Sequence, residues 1–247
     1  MVVVETAISE VREKGFCVLK ACFALRAVQR SSQAFEQILH DYLEEHREEP
    51  NRGPKRHFLP MPFHVPCFQP EFFFNAAALG VVRGVMDNRV AADQWGCDLA
   101  LKGSIHQQAH VDYQRPLFAE DSDLSLPAYM LVVSFGLADI TRANGPLEIA
   151  QGTHKMPRND AFNVVAAGEV AMQPVLLDAG DVLIRHPWAL HRGSPNMTDT
   201  PRALLTIRYV RRWYADFSRE VNAIPRKVWE SFTTEQRELM RFPVARD

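Results

Sequence analysis

The feature that most limits the fold is a pattern that starts near residue 94. Short apolar runs follow one another, each broken by turn chemistry, with no helical stretch between them. The runs at 97–102, 104–112, 128–137, 146–150, 170–177, 181–186, 189–192 and 203–210 read as strands. The breaks include Asn144-Gly145-Pro146, Gly152-Thr153, Ala179-Gly180-Asp181 and Gly193-Ser194-Pro195-Asn196. Gly and Asn tolerate the turn geometries that other residues resist, and Pro fixes its own φ and donates nothing to a ladder. About eight strands in roughly 120 residues, with no crossover helices between them, predict an antiparallel sandwich or barrel.

Helices are expected on either side. "FCVLK" at 16–20 follows Gly15 and reads as one early strand. Leu25, Val28, Phe35, Ile38, Leu39, Tyr42 and Leu43 recur at helical spacing, and Pro50 stops that run. Prolines at 54, 60, 62, 66 and 70 predict a stretch without regular structure. Its interleaved aromatics argue against a solvated linker, so residues 57–74 are expected to form a lid or pocket wall. Residues 71–90 read as helix, with Gly80 and Gly84 as a close-packing face, and 217–242 return to helix. The whole is expected to be mainly β with flanking helices, as one domain over 1–247. Within it, 1–93 would be helical support with the proline-rich loop, 94–212 the β core and 213–247 the terminal helices.

Composition narrows the function class. At 247 residues and 47% hydrophobic content the chain can bury a sizeable core. A net charge of −2 gives no field toward nucleic acid or an anionic membrane, so neither is expected as a partner, and oligomeric state is left open. The start, "MVVVETAISEVREKG", meets acidic residues too early for a signal or transit peptide, and no window has a membrane span's apolar length. A cytoplasmic location is expected, with the four cysteines, at 17, 22, 67 and 97, as reduced thiols.

The chemistry concentrates in "HQQAHVDYQRPLF", residues 106–118. Residues two apart on a strand share a face, so His110 and Asp112 can grip one ion while Val111 points into the core. Two ligands hold a metal poorly, and a third must come from elsewhere among the nine histidines. In "GDVLIRHPWALHRGSPNMTDTPRALLTIRYV", residues 180–210, an apolar strand ends at His191 and a second strand begins beside Arg202. A hairpin there would set Arg202 on the strand adjacent to His191. The competing His186 precedes strand-breaking Pro187. Two histidines and a carboxylate form the facial triad that suits non-haem Fe(II) and leaves positions open. A nearby arginine can hold a carboxylate through two hydrogen bonds, as a 2-oxo acid cosubstrate requires. Zinc is also served by such ligands, and a hydrogen-bonded polar pair remains the plainer alternative.

These residues resemble the phytanoyl-CoA dioxygenase family of Fe(II)- and 2-oxoglutarate-dependent oxygenases. The matching features are His110-x-Asp112, "NGPLEIAQGTHK" (144–155), "GDVLIRHPWALH" (180–191), "SPN" (194–196) and Arg202, eleven residues after His191. The resemblance spans about 95–212. It implies a double-stranded β-helix (a jelly-roll or cupin-like core), with His110, Asp112 and His191 as iron ligands. It also implies Arg202 as the partner of the distal carboxylate of 2-oxoglutarate, and O2 as the second cosubstrate.

Two positions depart from the family pattern. Members often carry Ser two residues after the distal histidine, where this chain has Gly193 with Ser194 beside it. An aromatic often precedes the His-x-Asp pair, where this chain has Ala109. Because Asp112 is present, the site is not of the halogenase variety. Gln107, Tyr129 and Ser194 are further cosubstrate candidates, and Tyr113, Arg115, Arg185 and Trp188 are substrate candidates by proximity. His154 is expected to hydrogen-bond structurally, and Arg208 to face solvent. The expected activity is hydroxylation of an unactivated carbon in a small or mid-sized natural-product intermediate, with release of succinate and CO2. The rival readings are a non-catalytic jelly-roll binding protein and a zinc-dependent hydrolase.

Overall fold

The computed structural model describes residues 2–112, 117–214 and 221–246. The N-terminal part runs α1 (Val2–Lys14), β1 (Phe16–Leu19), α2 (Leu25–His46), β2 (Arg56–Pro60), α3 (Pro70–Phe74) and α4 (Ala76–Val85). The strand-rich part runs β3 (Val90–Ala100), α5 (Glu120–Leu124), β4 (Met130–Gly136), β5 (Leu147–Ala150), α6 (Arg158–Ala166), β6 (Met172–Val175), β7 (Val182–Arg185), β8 (His191–Gly193) and β9 (Arg202–Arg211). Helices α7 (Arg226–Glu230) and α8 (Thr234–Leu239) follow. The strands form a six-stranded sheet, β1-β7-β4-β9-β3-β2, and a three-stranded sheet, β6-β5-β8. Every named pairing is antiparallel. The fold is the expected β core of jelly-roll type with flanking helices.

The large sheet shows why the strand period of two decides the site. On β9, Ala203, Leu205, Ile207 and Tyr209 join the main core, while Arg202, Leu204, Thr206 and Arg208 line an internal cavity. On β4, Leu131, Val133 and Phe135 face the core, and Met130 and Val132 face the cavity. The six-stranded sheet is therefore covered on one face by helices and aromatic side chains. Its other face looks onto the small sheet across the cavity. Arg208 does not face solvent as its alternation suggested: it is 1% exposed and bound to Asp93 through Nε at 2.7 Å and Nη2 at 2.7 Å. The polar side of its strand looks inward.

Three further expectations are corrected. The stretch 104–112 is not a continuous strand; among its residues only His110 forms an isolated bridge, to His191. His191 and Arg202 do not lie on adjacent strands, because β8 belongs to the small sheet and β9 to the large one. The connection between them is tied down by Asn196, fully buried, whose Nδ2 donates to Ala100 O and Thr200 O, both at 2.9 Å. Gly145 (φ 86°) faces this turn so closely that a Cβ would lie 2.7 Å from Ser194 O. Only glycine fits there.

The proline-rich segment is also more ordered than its prolines suggest. It supplies β2 at the edge of the large sheet, where Pro60 costs no ladder hydrogen bond. Beyond β2 the segment is core rather than lid. Phe63, Phe68, Phe72 and Phe73 are at most 1% exposed, and Phe73 meets Trp95 edge-on at 5.4 Å. Only Arg56, His57 and Phe58 reach the cavity from the stretch 54–74. All four cysteines are free.

Candidate metal centre and cosubstrate pocket

His110 and His191 meet through a reciprocal backbone bridge, each amide donating to the other's carbonyl at 2.9 Å. The pairing brings the two rings to 4.5 Å. Each Nδ1 lies against a backbone carbonyl two residues earlier, Gln108 O at 2.8 Å and Ala189 O at 2.9 Å. A carbonyl only accepts, so both Nδ1 atoms carry the proton and both Nε2 lone pairs are left for a metal. Burial first, and then the neighbouring His191, lower the His110 pKa and favour the neutral ligand form.

Asp112 completes the group. Its amide donates to Pro187 O at 3.0 Å, which places the carboxylate at the cavity rim. Oδ1 lies 3.4 Å from His191 Nε2, and Oδ2 lies 2.6 Å from Arg185 Nη1. Burial alone would raise its pKa; the Arg185 guanidinium and then His191 outweigh that and hold the carboxyl well below its usual range. The ligand atoms of His110, Asp112 and His191 all lie within 4.8 Å of one another, the one such group among the described residues.

The three border a cavity of about 430 Å³. Arg202, 5% exposed, lines the same cavity from β9. Its Nη1 donates to Asp98 O at 2.9 Å and its buried Nε has no hydrogen-bond partner. The other predicted residues divide. Gln107 and Arg185 line this cavity. The Gln107 amide is already engaged, accepting from Gly193 N at 2.9 Å and donating to Arg52 O at 3.1 Å. Ser194 does not line the cavity; its hydroxyl donates to Pro146 O at 2.7 Å. Tyr129 and Trp188 lie instead on a second cavity of about 410 Å³, beside His154 and His186, with Met130 bordering both cavities. Tyr113 and Arg115 fall outside the described residues.

His186 takes no part in the metal-type cluster. Its Nδ1 accepts from the Trp188 amide at 3.2 Å, and burial pushes its pKa down to about 3. His154 Nε2 pairs with Arg12 O at 3.1 Å, the structural hydrogen bonding expected of it. Sequence reasoning missed Arg56, Gln94, Asp98, Thr206 and Arg208 on the cavity wall. Thr206 and Arg208 were within reach, since they follow Arg202 at steps of two on one strand. Arg56 opens a segment whose prolines concealed a strand.

A phytanoyl-CoA dioxygenase (PhyH) family model matches residues 11–204. The chain belongs to that family. It is accordingly an enzyme of the Fe(II)- and 2-oxoglutarate-dependent oxygenase type, using iron, 2-oxoglutarate and O2. That membership sets aside the zinc-hydrolase and non-catalytic readings. Among solved structures, the chain is similar to the non-haem α-ketoglutarate-dependent epimerase SnoN from nogalamycin biosynthesis. The two are 16% identical over 85% of this chain and 83% of that one, with a TM-score of 0.62. The carbocyclase SnoK from the same biosynthesis is 16% identical over 83% of each chain, with a TM-score of 0.64. HygX from Streptomyces hygroscopicus, solved with nickel and 2-oxoglutarate, is 19% identical over 88% of this chain and 91% of its own, with a TM-score of 0.62. These likenesses support the fold. No helix among the described residues is long and apolar enough to cross a membrane.

Proposed function

We propose that the chain is a single oxygenase unit that oxidises, by default hydroxylates, an unactivated carbon of a small or mid-sized natural-product intermediate. In this reading His110, Asp112 and His191 hold Fe(II), and Arg202 binds the distal carboxylate of 2-oxoglutarate. The observation that carries it is the placement of three convergent donor atoms at the rim of a cavity that also contains a buried arginine with an unpartnered Nε. The donor set fits: both imidazoles present Nε2, and Asp112 is held charged. Iron bound there would supply the oxidising chemistry, with 2-oxoglutarate converted to succinate and CO2. The chain's own residues orient and enclose. Arg185 fixes the second oxygen of Asp112, leaving the first for the metal. Leu204, Met130 and Val132 give the cavity apolar walls that exclude water from the reacting carbon.

The natural-product substrate class is supported by similar proteins that act in nogalamycin biosynthesis. One of these is an epimerase and another a carbocyclase, so products other than an alcohol belong in the screen. Anaerobic addition of Fe(II) and 2-oxoglutarate should produce the weak visible charge-transfer band of a chelated ferrous complex. His110→Ala should abolish that band. Arg202→Ala should raise the 2-oxoglutarate requirement by roughly two orders of magnitude, the loss expected when a buried charge loses its partner. An absent band in the wild type would overturn the reading. Succinate release across a panel of candidate intermediates then identifies the substrate.

A further inference from the structure

The second cavity, of about 410 Å³, has neither the three candidate ligands nor Arg202 in its wall. The register of β4 fixes where it lies along the sheet. Val132 stands opposite Arg185, the partner of Asp112, so this pair marks the level of the metal cluster. Toward one end of β4, Gly136 pairs with Leu204, two residues from Arg202. Toward the other end, Met130 pairs with Val210 and borders both cavities. A strand rises about 3.3 Å per residue, so the second cavity begins roughly 7 Å beyond the metal level, on the side away from Arg202. Pro187 lines it too, and the Pro187 carbonyl is the acceptor for the Asp112 amide. A molecule seated in this space and extended past Met130 has one end at the metal cluster.

The wall is aromatic and electrically quiet. Tyr129, 6% exposed, meets Trp188 at 6.5 Å with the ring planes at 90°, so the two form a corner. Trp213 packs on Tyr129 at 5.7 Å and is itself 60% exposed. Val11, Leu124, Leu126 and Pro127 supply aliphatic surface. The charged side chains of this wall are engaged elsewhere. Lys155 pairs with Glu13 at 2.8 Å, Arg12 Nη2 donates to Gly84 O at 2.7 Å, and Asp123 accepts from the Phe118 amide at 3.0 Å. Burial lowers the His154 pKa and brings that of His186 down to about 3, so both rings are neutral at neutral pH. Such a wall does little to offset the desolvation of a phosphate or carboxylate, whereas aromatic faces and edges favour a flat ring. The Trp188 Nε1 is buried without a hydrogen-bond partner among the described residues, and a ligand oxygen is the acceptor it lacks.

We propose that this cavity is the recognition subsite for the non-reacting body of the substrate, and that it takes an uncharged, oxygen-bearing aromatic ring system. The inference rests on the metal centre assigned above, because that centre is what makes the adjoining space a substrate site. Tyr129 and Trp188 pack on the ring, and Met130 stands at the passage toward the metal. Holding the remote body in this way fixes which carbon is presented for oxidation.

The test needs neither turnover nor the natural substrate. Protein loaded with Mn(II) and 2-oxoglutarate, kept free of oxygen, is titrated by NMR with three probes. These are 2-naphthol, 2-naphthalenesulfonate, which adds a charge, and 1-decanol, which has length but no ring. 2-Naphthol should bind on the order of tenfold tighter than either of the others. Its proton signals should be broadened more by the Mn(II) protein than by the Zn(II) protein, which reads proximity to the metal. Leu126→Trp, at a half-buried loop position, fills the cavity and should weaken 2-naphthol about tenfold. Trp188→Leu should weaken it similarly by removing one ring. Both variants should keep the wild-type affinity for Mn(II) and 2-oxoglutarate. Equal binding of the three probes overturns the proposal, as does naphthol binding that neither variant alters or that Mn(II) does not broaden. A wild type that takes up neither Mn(II) nor 2-oxoglutarate is the separate result that overturns the metal-centre reading, and with it the substrate role of this cavity.

Discussion

Arg185, the last residue of β7, has a side chain only 7% exposed and lies 2.6 Å from the Asp112 oxygen that faces away from His191. An outer partner of this kind orients a ligand and raises the share of time it spends in binding geometry. Arg185→Ala should therefore weaken Mn(II) or Ni(II) binding about 10- to 100-fold, read by direct metal titration. Arg185→Lys should recover part of it. An unchanged metal affinity would mean that Asp112 needs no holding. At this scale the ligand residues were legible because their types are rare in apolar surroundings and their spacings are distinctive. Arg56 was not. Nothing local distinguishes a cation that faces a cavity from one that faces solvent, and its partners lie 49 and 138 residues away in sequence.

Elements were legible where turn residues punctuate them, and least so where a chain segment is extended without being a strand. The stretch 104–112 alternates like a strand, yet His110 takes its one bridge from His191 and Asp112 reaches Pro187, with no ladder between. What puts Arg185 in reach is the register of β7, which sets it opposite Phe16 and Val132. That register is pinned at its other end by the Ala179-Gly180-Asp181 turn. Asp181, 2% exposed, accepts from the amides of Ala21 and Asp178, both at 2.9 Å, and from Lys20. Burial would raise its pKa, but Lys20 and the two amides outweigh that and lower it. A carboxyl with a depressed folded pKa stabilises above its unfolded pKa, near about 3.9, and the stabilisation is lost as pH falls through the folded value. Asp181→Asn should lower stability by about 1–3 kcal/mol at neutral pH, since an amide group would face two donors. Urea denaturation should show that cost shrinking below about pH 4, where the wild type loses the same interaction. A cost independent of pH down to 2.5 would locate the effect elsewhere.

For the molecule as a whole, the two sheets meet through an apolar seam that includes Ile149, Val175, Leu177, Leu183 and Leu204, and through the cavity beside it. The seam follows from alternating apolar residues and was expected in kind. The polarity of the cavity face was hidden, because the sequence shows that β9 has a polar side without showing whether that side meets water. The consequence is a coupling between binding and folding. His191 comes from the small sheet and Arg202 from the large one, so a ligand held by both joins the two layers that unfolding separates. Any ligand that binds only the folded state stabilises it by mass action, by about 2.7 kcal/mol at one hundred times its Kd. For a chain of this length that corresponds to a rise of about 5–10 °C in Tm. Anaerobic thermal unfolding of Mn(II)-loaded protein with saturating 2-oxoglutarate should show such a rise, and chelation of the metal should reverse it. Native-state hydrogen exchange locates the gain. Protection should increase in β8 and in the Arg202 end of β9 together, since each holds one end of the same ligand. Protection confined to β8 would mean that the metal is bound but the diacid does not reach across to the large sheet.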